Sequence, residues 1–194
     1  MDFLAIDFKK KRTKYVSIKP VLNFEFIHLD VIIFLTVKRT KEQTRKDIFN
    51  FVKANGVMTL ATQSNRGPWV CTVYYGIDKD MNMYLVTDPR TAHAKNFVKD
   101  SRVAFNIYDS HQKIIKLKRG VQGFGICEIV KGVLANTKAL FLWHKQNPGI
   151  EKAITIKDIF KKLTDTKIYK ITPKYLKFFN QELYPSEEWN GIEL

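Results

Sequence analysis

Polar and cationic side chains crowd into one short segment near the middle of the chain. A predicted strand ends at Thr87, and a predicted helix begins within a few residues. The first turn of a helix has unused backbone N–H groups and a positive dipole end, which favour an anion. The nearby side chains make this junction a candidate phosphate cradle; they are Thr87, Arg90, Thr91, His93 and Lys95. The same pattern also fits an ordinary helix cap with a solvated basic face, and the local chemistry favours neither interpretation.

A second candidate group is the amide of Gln122, which lies between Gly120 and Gly123 in a predicted strand. An amide both donates and accepts hydrogen bonds, so it suits the edge of a flat heteroaromatic ring. Glycines inside a strand mark a bulge or the close approach of a ligand or another backbone. A barrel corner that needs glycine for curvature is the alternative, and this segment taken alone favours it.

The sequence lacks the common motifs of catalysis by protein groups alone. The glycines that follow Arg119 do not have the Gly-x-Gly-x-x-Gly spacing, and neither a phosphate-binding loop nor a Gly-x-Ser-x-Gly elbow occurs. Histidines and cysteines are too scattered to predict a metal site; they are His28, His93, His111, His144, Cys71 and Cys127. We interpret both cysteines as small apolar fillers of strands, as expected in a reducing cytoplasm.

Length and charge limit the classes of protein that this chain can belong to. The 194 residues are 45% hydrophobic, which predicts one domain with a substantial core. The formal net charge of +14 predicts a positive surface that attracts phosphates, nucleic acid or acidic lipid without choosing among them. The longest apolar run near the start, Val31–Val37, is far shorter than a membrane span. Neither a membrane segment nor a targeting signal is therefore predicted.

The periodicity of the sequence predicts an α+β protein that is mainly β. We interpret residues 1–39 as an N-terminal extension of uncertain status and residues 40–194 as the folded domain. Thr40 and Gln43 fit a capping box, which predicts a helix over 41–54 with Asn55-Gly56 as a left-handed stop. Short runs rich in Val, Thr and Tyr then predict an antiparallel meander; the strands are expected at 57–62, 69–77, 83–87, 103–108 and 120–130.

Further helices are predicted between and after these strands. Asp88-Pro89 opens one that runs to about Asp100, with proline at its first position. Two more are expected at about 136–146 and 155–163. A last strand, Lys167–Ile171, precedes an aromatic-rich tail. Short antiparallel strands with interspersed helices predict a split β-barrel with peripheral helices.

The order of these motifs resembles a known family. It runs through Met58-Thr-Leu-Ala-Thr, Arg66-Gly-Pro-Trp-Val-Cys-Thr-Val-Tyr-Tyr, Tyr84-Leu-Val-Thr, Thr91-Ala-His-Ala and Arg119-Gly-Val-Gln-Gly-Phe-Gly. Over about residues 42–175 the chain is similar to the pyridoxamine 5′-phosphate oxidase-like FMN-binding split-barrel superfamily. Within it, the chain looks most like a small bacterial subgroup with Thr-x-His-Ala and Arg-Gly-Val-Gln patterns. Each motif alone is degenerate, and their order and spacing carry the resemblance.

The resemblance implies FMN as the cofactor and a homodimer whose two FMN sites lie between the protomers. The strand Trp69–Val73 would line the flavin. Backbone groups in that strand would reach the ring or the ribityl chain; they belong to Val70, Cys71 and Thr72. Gln122 matches a position near the flavin that is often presented from the partner subunit. We interpret Trp189 as a packing residue, with a cover over the flavin as the alternative.

The resemblance also implies which residues bind the phosphate of FMN. Thr87 and Thr91 match positions that usually hold it. Family members commonly have Lys in the first turn of the helix, often preceded by Arg, whereas this sequence has His93 in that slot and Lys95 two residues later. Histidine is largely neutral at pH 7 and is a weaker phosphate clamp. Arg90 or Lys95 is expected to compensate for it.

The implied function is an FMN-dependent oxidoreductase, related to flavin reductases or using a nicotinamide cofactor, in which the flavin carries the redox step. The substrate-gripping segment of pyridoxamine phosphate oxidase is not recognisable in Tyr184-Pro-Ser-Glu-Glu-Trp, so that reaction is not assigned.

A non-enzymatic binding protein is the alternative. Single-stranded nucleic acid would use the basic segment, although its aromatic residues do not alternate with cations as a stacking platform requires; the cations are Lys113, Lys116, Lys118 and Arg119. Haem would need an axial ligand from His93, His111 or His144.

Overall fold

The computed structural model describes residues 39–150, 166–184 and 189–194. In these ranges the helices are α1 (Lys41–Ala54), α2 (Ala92–Lys99) and α3 (Val133–Gln146). The strands are β1 (Val57–Ser64), β2 (Gly67–Ile77), β3 (Met83–Thr87), β4 (Arg102–Tyr108), β5 (Arg119–Ile129), β6 (Lys167–Asn180) and β7 (Trp189–Glu193). The predicted extension, apart from Arg39, and the predicted helix at 155–163 lie outside the described residues. No described helix is long and apolar enough to cross a bilayer.

The strands form one antiparallel sheet that closes on itself. Their order is β3-β2-β1-β4-β5-β6-β7, and β3 also pairs with β6, so that β1 to β6 form a ring. Alternate side chains of these strands point into the ring and are buried there, as the period of two requires; among them are Leu60, Tyr75, Leu85, Ile107, Val121 and Ile171. The α+β split-barrel prediction is confirmed.

Helix α1 begins at the residue that the sequence predicts. The Thr40 side chain accepts a hydrogen bond from the Gln43 N–H at 3.1 Å, and the Gln43 side chain accepts one from the Thr40 N–H at 2.9 Å. The predicted left-handed stop is wrong, because Asn55 has an extended backbone with φ −122°. The Asn55 side chain instead donates to the Phe51 carbonyl at 2.7 Å, which satisfies an unpaired carbonyl of the last turn.

Helix α2 begins later than predicted, at Ala92 instead of just after Asp88. The Asp88 carboxylate accepts the Arg90 N–H at 2.7 Å, and the Asp88 carbonyl accepts the Thr91 N–H at 3.1 Å. Pro89 therefore lies in a turn that the aspartate closes, not in the first turn of the helix. Thr91 is the N-cap, and its hydroxyl accepts the Ala94 N–H at 3.4 Å. The N-cap is thus the threonine that the phosphate hypothesis uses.

Strand β6 is almost three times as long as predicted and includes most of the expected aromatic tail. It continues through Thr172 and Pro173 because the β5–β6 register shifts between Phe124 and Gly125. A side chain at Gly125 would place its Cβ 2.4 Å from the Thr172 carbonyl oxygen, so only glycine allows the proline-containing strand to approach. The second half of β6 then pairs with β7, which the sequence did not predict.

Candidate functional site

Three of the predicted phosphate ligands converge at the junction of β3 and α2. The His93 Nε2 atom lies 2.8 Å from the Thr87 hydroxyl oxygen and 3.2 Å from the Thr91 hydroxyl oxygen. Thr91 also donates its hydroxyl proton to the Asp88 carbonyl at 2.8 Å. We call Thr87, Thr91 and His93 the cradle. It combines hydroxyls, an imidazole and the first turn of a helix in one place, as the sequence predicted.

The cradle itself contains little fixed positive charge. Burial lowers the pKa of His93, so its ring is neutral at pH 7. Arg90 is engaged nearby by a bidentate interaction with the Asp88 carboxylate, in which Nε donates to Oδ1 at 3.0 Å and Nη2 donates to Oδ2 at 2.6 Å, and these hydrogen bonds lower the pKa of Asp88. Lys95 is exposed one turn further along α2. The cations expected to compensate for His93 are thus a paired arginine and a solvated lysine.

Asp88 is the residue of this junction that the sequence analysis missed. Its signal was the spacing Asp-x-Arg, which occurs again at Asp100 and Arg102, where the Arg102 Nε donates to Oδ1 at 2.9 Å and Nη2 donates to Oδ2 at 2.6 Å. A short i to i+2 pair of this kind closes its own turn, so it forms from local sequence alone. At the second pair the hydrogen bonds from Arg102 lower the pKa of Asp100 to about 2. The pairing of the Arg90 guanidinium with Asp88 could therefore have been predicted from the sequence.

A buried hydrogen-bond chain holds α2 against the strand expected to line the flavin. The Asn96 side-chain amide donates to the Thr62 hydroxyl at 2.9 Å, and that hydroxyl reaches the Trp69 carbonyl at 3.4 Å. Asn96 and Thr62 are 7% and 4% exposed, so water does not compete with them. The start of β2 is therefore fixed next to the first turns of α2. Cradle and predicted flavin strand lie together in one protomer.

Part of the edge of β2 is free of strand pairing among the described residues. On one side β2 pairs with β1 from Gly67 to Tyr74. On the other side it pairs with β3 only from Tyr75 to Ile77. Helix α3 covers the region beyond, where the Trp143 Nε1–H donates to the Tyr74 carbonyl at 3.2 Å. Within the described ranges, the backbone around Val70, Cys71 and Thr72 consequently lies on an open edge next to the cradle, where it has donors and acceptors without strand partners.

Cys71 has an inert environment in this strand. Its thiol lies 3.8 Å from the Leu60 carbonyl oxygen, and burial raises its pKa. Because the thiolate is the nucleophilic form, a raised pKa disfavours nucleophilic chemistry at pH 7. Cys127 is more deeply buried, and burial raises its pKa as well. Both side chains fill space, as the sequence analysis expected.

Gln122 lies away from the cradle, on the outside of the barrel. Cross-strand partners share a face of the sheet, and the register places Thr72, Thr59, Asn106 and Gln122 in one row across β2, β1, β4 and β5. Three strand spacings separate Thr72 from Gln122, which is about 14 Å. The structure thus brings Gln122 onto the same outer surface as Val70 and Thr72 without bringing it to the cradle of its own protomer.

This outer surface of β2, β1, β4 and β5, which we call the outer face, is notably apolar. Val70, Tyr74 and Phe124 are 59%, 60% and 52% exposed on it. Inward, the same strands pack so closely that a Cβ at Gly123 would lie 2.6 Å from the Phe105 ring. The need for glycine next to Gln122 therefore comes from core packing, whereas the segment alone favoured a barrel corner that needs glycine for curvature.

A separate cleft of about 660 Å³ lies at the opposite end of the barrel, between α1 and the loop that joins β4 to β5. None of the predicted cofactor residues lines it. Its polar groups include Asp47 and Asn50 from α1 and Asp109 and His111 from the loop. Asp47 is engaged by Arg39 at 2.6 Å, and Asp109 lies 3.6 Å from Arg119. The sequence analysis did not single out these carboxylates, because their elements meet only in the fold.

Comparison with known proteins supports the fold more strongly than any one activity. No family model matches the chain. It is 35% identical over 81 residues to the UPF0306 protein PM1958 of Pasteurella multocida, which covers 41% of this chain and about half (54%) of that protein. Among solved structures, a heme binding protein from Mycobacterium smegmatis superposes with a TM-score of 0.63 at 17% identity, over 81% of this chain and 60% of that one.

A second solved structure comes from the pyridoxinephosphate oxidase family. It is a Clostridium acetobutylicum protein related to general stress protein 26, with a TM-score of 0.57 at 15% identity. The match covers 80% of this chain and 97% of that one. At these identities the likeness is one of fold. The fold-level resemblance that the sequence motifs suggested is confirmed.

Proposed function

We propose that this chain, which has the split-barrel fold of the pyridoxamine 5′-phosphate oxidase-like superfamily, is an FMN-binding protein and an oxidoreductase of that fold. The observation that carries the proposal is the convergence of the Thr87 and Thr91 hydroxyls with His93 Nε2 at the start of α2. Three side chains from two elements meet there, next to an open strand edge. A phosphate ester with a flat heterocycle fits both features.

The donor set suits a phosphate. The cradle offers two hydroxyls and an imidazole, and the N–H groups of Ala92 and His93 belong to the first turn, where a helix leaves its donors unused. The helix dipole adds favourable potential for an anion. Arg90 and Lys95 are the nearby cations. The Arg90–Asp88 pair is solvent-exposed, so little free energy is needed for the guanidinium to turn toward a bound phosphate.

The heterocycle would lie along β2. The open edge around Val70, Cys71 and Thr72 supplies backbone donors and acceptors for the polar rim of an isoalloxazine ring. Trp69, with 47% of its surface exposed, stands at the start of that edge and offers an aromatic surface for packing. When bound, the flavin supplies the electron transfer, while the chain binds and orients it. No side chain here is required as a general acid or base, and a nicotinamide cofactor is the hydride donor we expect.

A homodimer would complete the site. The outer face exposes Val70, Tyr74 and Phe124, and an exposed apolar surface of this kind is suited to burial against a second copy. Because Gln122 projects from this face and lies far from its own cradle, it can serve a flavin only in the partner. A two-fold symmetric homodimer would contain two such flavin sites, each completed by the Gln122 of the other protomer. This is the arrangement implied by the sequence resemblance, and the exposed face supports it.

The test measures whether the cradle recognises the phosphate of FMN. Purified protein is titrated with FMN and, separately, with riboflavin, which lacks the phosphate. We expect Thr87→Ala/Thr91→Ala to weaken FMN binding at least tenfold, because two charge-assisted hydrogen bonds are lost, and to change riboflavin binding less than twofold. Thr137→Ala is the matched control, because Thr137 is an exposed threonine of α3 whose hydroxyl donates to the Val133 carbonyl of the same helix.

Haem is the alternative ligand, since one structural neighbour is described as a heme binding protein. Of the three candidate axial histidines, His93 is engaged by the cradle, and the Nε2 atom of His144 is buried, with no hydrogen-bond partner in the part of the chain that the structure describes. His111 is 95% exposed and lies at the far end of the barrel. An absorption spectrum separates the ligands, because a Soret band with no retained flavin would replace FMN by haem and point to His111.

A further inference from the structure

The loop between β4 and β5 forms an ordered projection at one end of the barrel. The Lys116 N–H donates to the Lys113 carbonyl at 3.0 Å and closes a tight turn. The Lys118 ammonium donates to the carbonyls of Lys113 and Lys116, at 2.5 and 2.8 Å, and holds the turn from beneath. At the base, the Lys118 N–H donates to the Gln181 side chain at 2.7 Å. We call residues 112–118 the arm, and these bonds fix its conformation.

The tip of the arm exposes two large apolar side chains. Ile114 and Ile115 occupy the two central positions of the turn and are 90% and 84% exposed. Leu117 adds a partly exposed apolar side chain beside them. Because burial of isoleucine is favourable in water, a turn that hydrogen bonds hold with both isoleucines outside indicates contact with another molecule.

Positive charge surrounds this apolar tip. The arm contains three lysines and no acidic residue. Lys113 and Lys116 flank the isoleucines and are exposed. The carboxylates near the arm lie at its base, where Asp109 is 3.6 Å from Arg119 and Glu182 lines the cleft between the arm and the turn after β6. The molecule that contacts the tip must therefore offer apolar surface and negative charge together.

Two exposed aromatic side chains lie beside the arm at the same end of the sheet. The register across β4, β5, β6 and β7 forms one row of Tyr108, Gly120, Phe179 and Trp189. Tyr108 and Trp189 are 48% and 40% exposed, and the Lys177 ammonium lies 4.3 Å from the Trp189 ring centroid. Tyrosine and tryptophan have an apolar body and a polar tip, which suits the headgroup level of a bilayer.

The shape of the arm favours a bilayer over a protein partner. A stable protein interface buries about 800 Å² on each partner against a complementary surface, whereas the arm presents the side chains of one projecting turn. A fluid bilayer needs no preformed pocket for such a tip, because its acyl chains rearrange around apolar side chains. Nucleic acid also fits the tip less well, since isoleucine offers no aromatic surface on which bases could stack.

We propose that the arm docks this protein on the surface of an anionic membrane, with Ile114 and Ile115 inserted among the lipids. Lys113 and Lys116 lie at the level of the headgroups and attract their negative charge. Contact of this kind is peripheral and reversible, so it needs no membrane-spanning helix.

The docking surface is separate from the proposed FMN site. The cradle adjoins the end of β1 that contains Thr62, which pairs with Val103 at the start of β4. The arm follows Tyr108 at the other end of β4. The inference therefore does not depend on the proposed function, and a membrane-bound protomer keeps its cradle away from the lipid.

The first experiment tests the isoleucines. Full-length protein is sedimented with vesicles of phosphatidylcholine containing about one-third phosphatidylglycerol, and with vesicles of phosphatidylcholine alone. We expect binding to the anionic vesicles only, weakened by added salt. Ile114→Ser/Ile115→Ser keeps every charge and should weaken this binding about tenfold or more, because the apolar contact is lost.

A second exposed apolar pair provides the matched control for the isoleucines. Val133 and Leu134 of α3 are 75% and 87% exposed. They follow the opposite end of β5, about 33 Å along that strand from the arm. Val133→Ser/Leu134→Ser is therefore expected to sediment with the anionic vesicles as the wild type does.

The second experiment tests the cations. Lys113→Ala/Lys116→Ala keeps the isoleucines and the Lys118 bonds, and we expect it to weaken binding to the anionic vesicles about tenfold or more. Lys138→Ala/Lys145→Ala, two exposed lysines of α3, lowers the net charge equally and should change the affinity less than about twofold. All four variants change exposed side chains, so urea denaturation is expected to give wild-type stability.

The outcomes decide the inference without reference to FMN. Full-length protein that fails to sediment with the anionic vesicles overturns it. Binding that the isoleucine variant leaves unchanged, or that the two lysine pairs weaken equally, shows adsorption by net charge alone and overturns it as well. Protein that ignores the vesicles and binds an oligothymidine strand through the arm assigns the arm to nucleic acid instead. Wild-type protein that binds the vesicles through the arm but retains no FMN removes the proposed function and supports this inference.

Discussion

His93 shows how a single residue can change the electrostatics of a phosphate site. Its ring lies between two hydroxyls and against Phe97, with ring centroids 5.8 Å apart. Burial disfavours the imidazolium, so the ring holds its neighbours as a neutral hydrogen-bonding group. A phosphate dianion bound at Thr87 and Thr91 would reverse this balance, because an adjacent negative charge favours the protonated ring. The residue is thus arranged to take up a proton when the anion arrives.

The pH dependence of stability follows from the same ring. The pKa of His93 in the folded protein is lowered from 6.5, so the unfolded chain binds more protons as pH falls through 6.5 toward the folded pKa. Stability is therefore complete above 6.5 and is lost below it. We expect His93→Gln to reduce the loss in free energy of unfolding between pH 7.5 and 5.5, measured by urea denaturation. His111→Gln, at a 95% exposed side chain, is the control. An identical pH slope in wild type and His93→Gln would contradict this account.

At the scale of secondary-structure elements, the site depends on where α2 sits. The helix has only eight residues, so its stability comes from packing and not from length. Ala94 and Phe97 enter the core, and the Phe97 ring lies 5.1 Å from that of Tyr169 on β6. The hydrogen bond from Asn96 to Thr62 fixes the helix against β1. A shift of this helix would separate the cradle from the open edge of β2.

We expect Thr62→Val to destabilise the fold by about 1–3 kcal/mol, because it leaves the buried Asn96 amide without its partner while keeping the side-chain volume. FMN binding should weaken as well, since α2 loses its link to Trp69. The double variant Thr62→Val/Asn96→Leu removes both polar partners and should recover part of the lost stability. Urea denaturation of the four proteins gives the coupling energy. Additive effects in this cycle would show that the hydrogen bond does not hold the helix.

The elements also show which parts of the fold were predictable. Helix α1 was predicted to the residue because its capping box is a local pattern within Thr40 to Gln43. The start of α2 was wrong because Asp88 closes a turn that competes with the proline signal. The length of β6 and the presence of β7 depend on pairings between distant segments, which sequence periodicity does not contain. The cradle was found from local motifs, whereas the position of Gln122 relative to it required the three-dimensional sheet.

At the scale of the whole molecule, positive charge and apolar surface have different distributions. The net charge of +14 keeps the chain attractive to anions from a distance. The outer face is instead lined mainly by uncharged side chains, with Val70 and Phe124 exposed in one cross-strand row and Tyr74 exposed in another. Exposed apolar surface of this kind marks a site of contact with another molecule. The isolated protomer is therefore half of the functional unit that we propose.

The variant Phe124→Glu tests the proposed homodimer directly. The substitution places a charge on the β5 part of the outer face, where burial in a dimer would desolvate it, so we expect sedimentation analysis to find a monomer. Within the protomer it costs only the contact with Tyr175, whose ring centroid is 5.8 Å away, or about 0.5–1.5 kcal/mol. Phe141→Glu, at a 60% exposed phenylalanine of α3 outside the face, is the matched control and should leave the dimer intact.

A Phe124→Glu protein that stays dimeric would place the interface elsewhere. If the variant is monomeric and has also lost FMN binding, the cofactor site depends on the partner as the position of Gln122 requires.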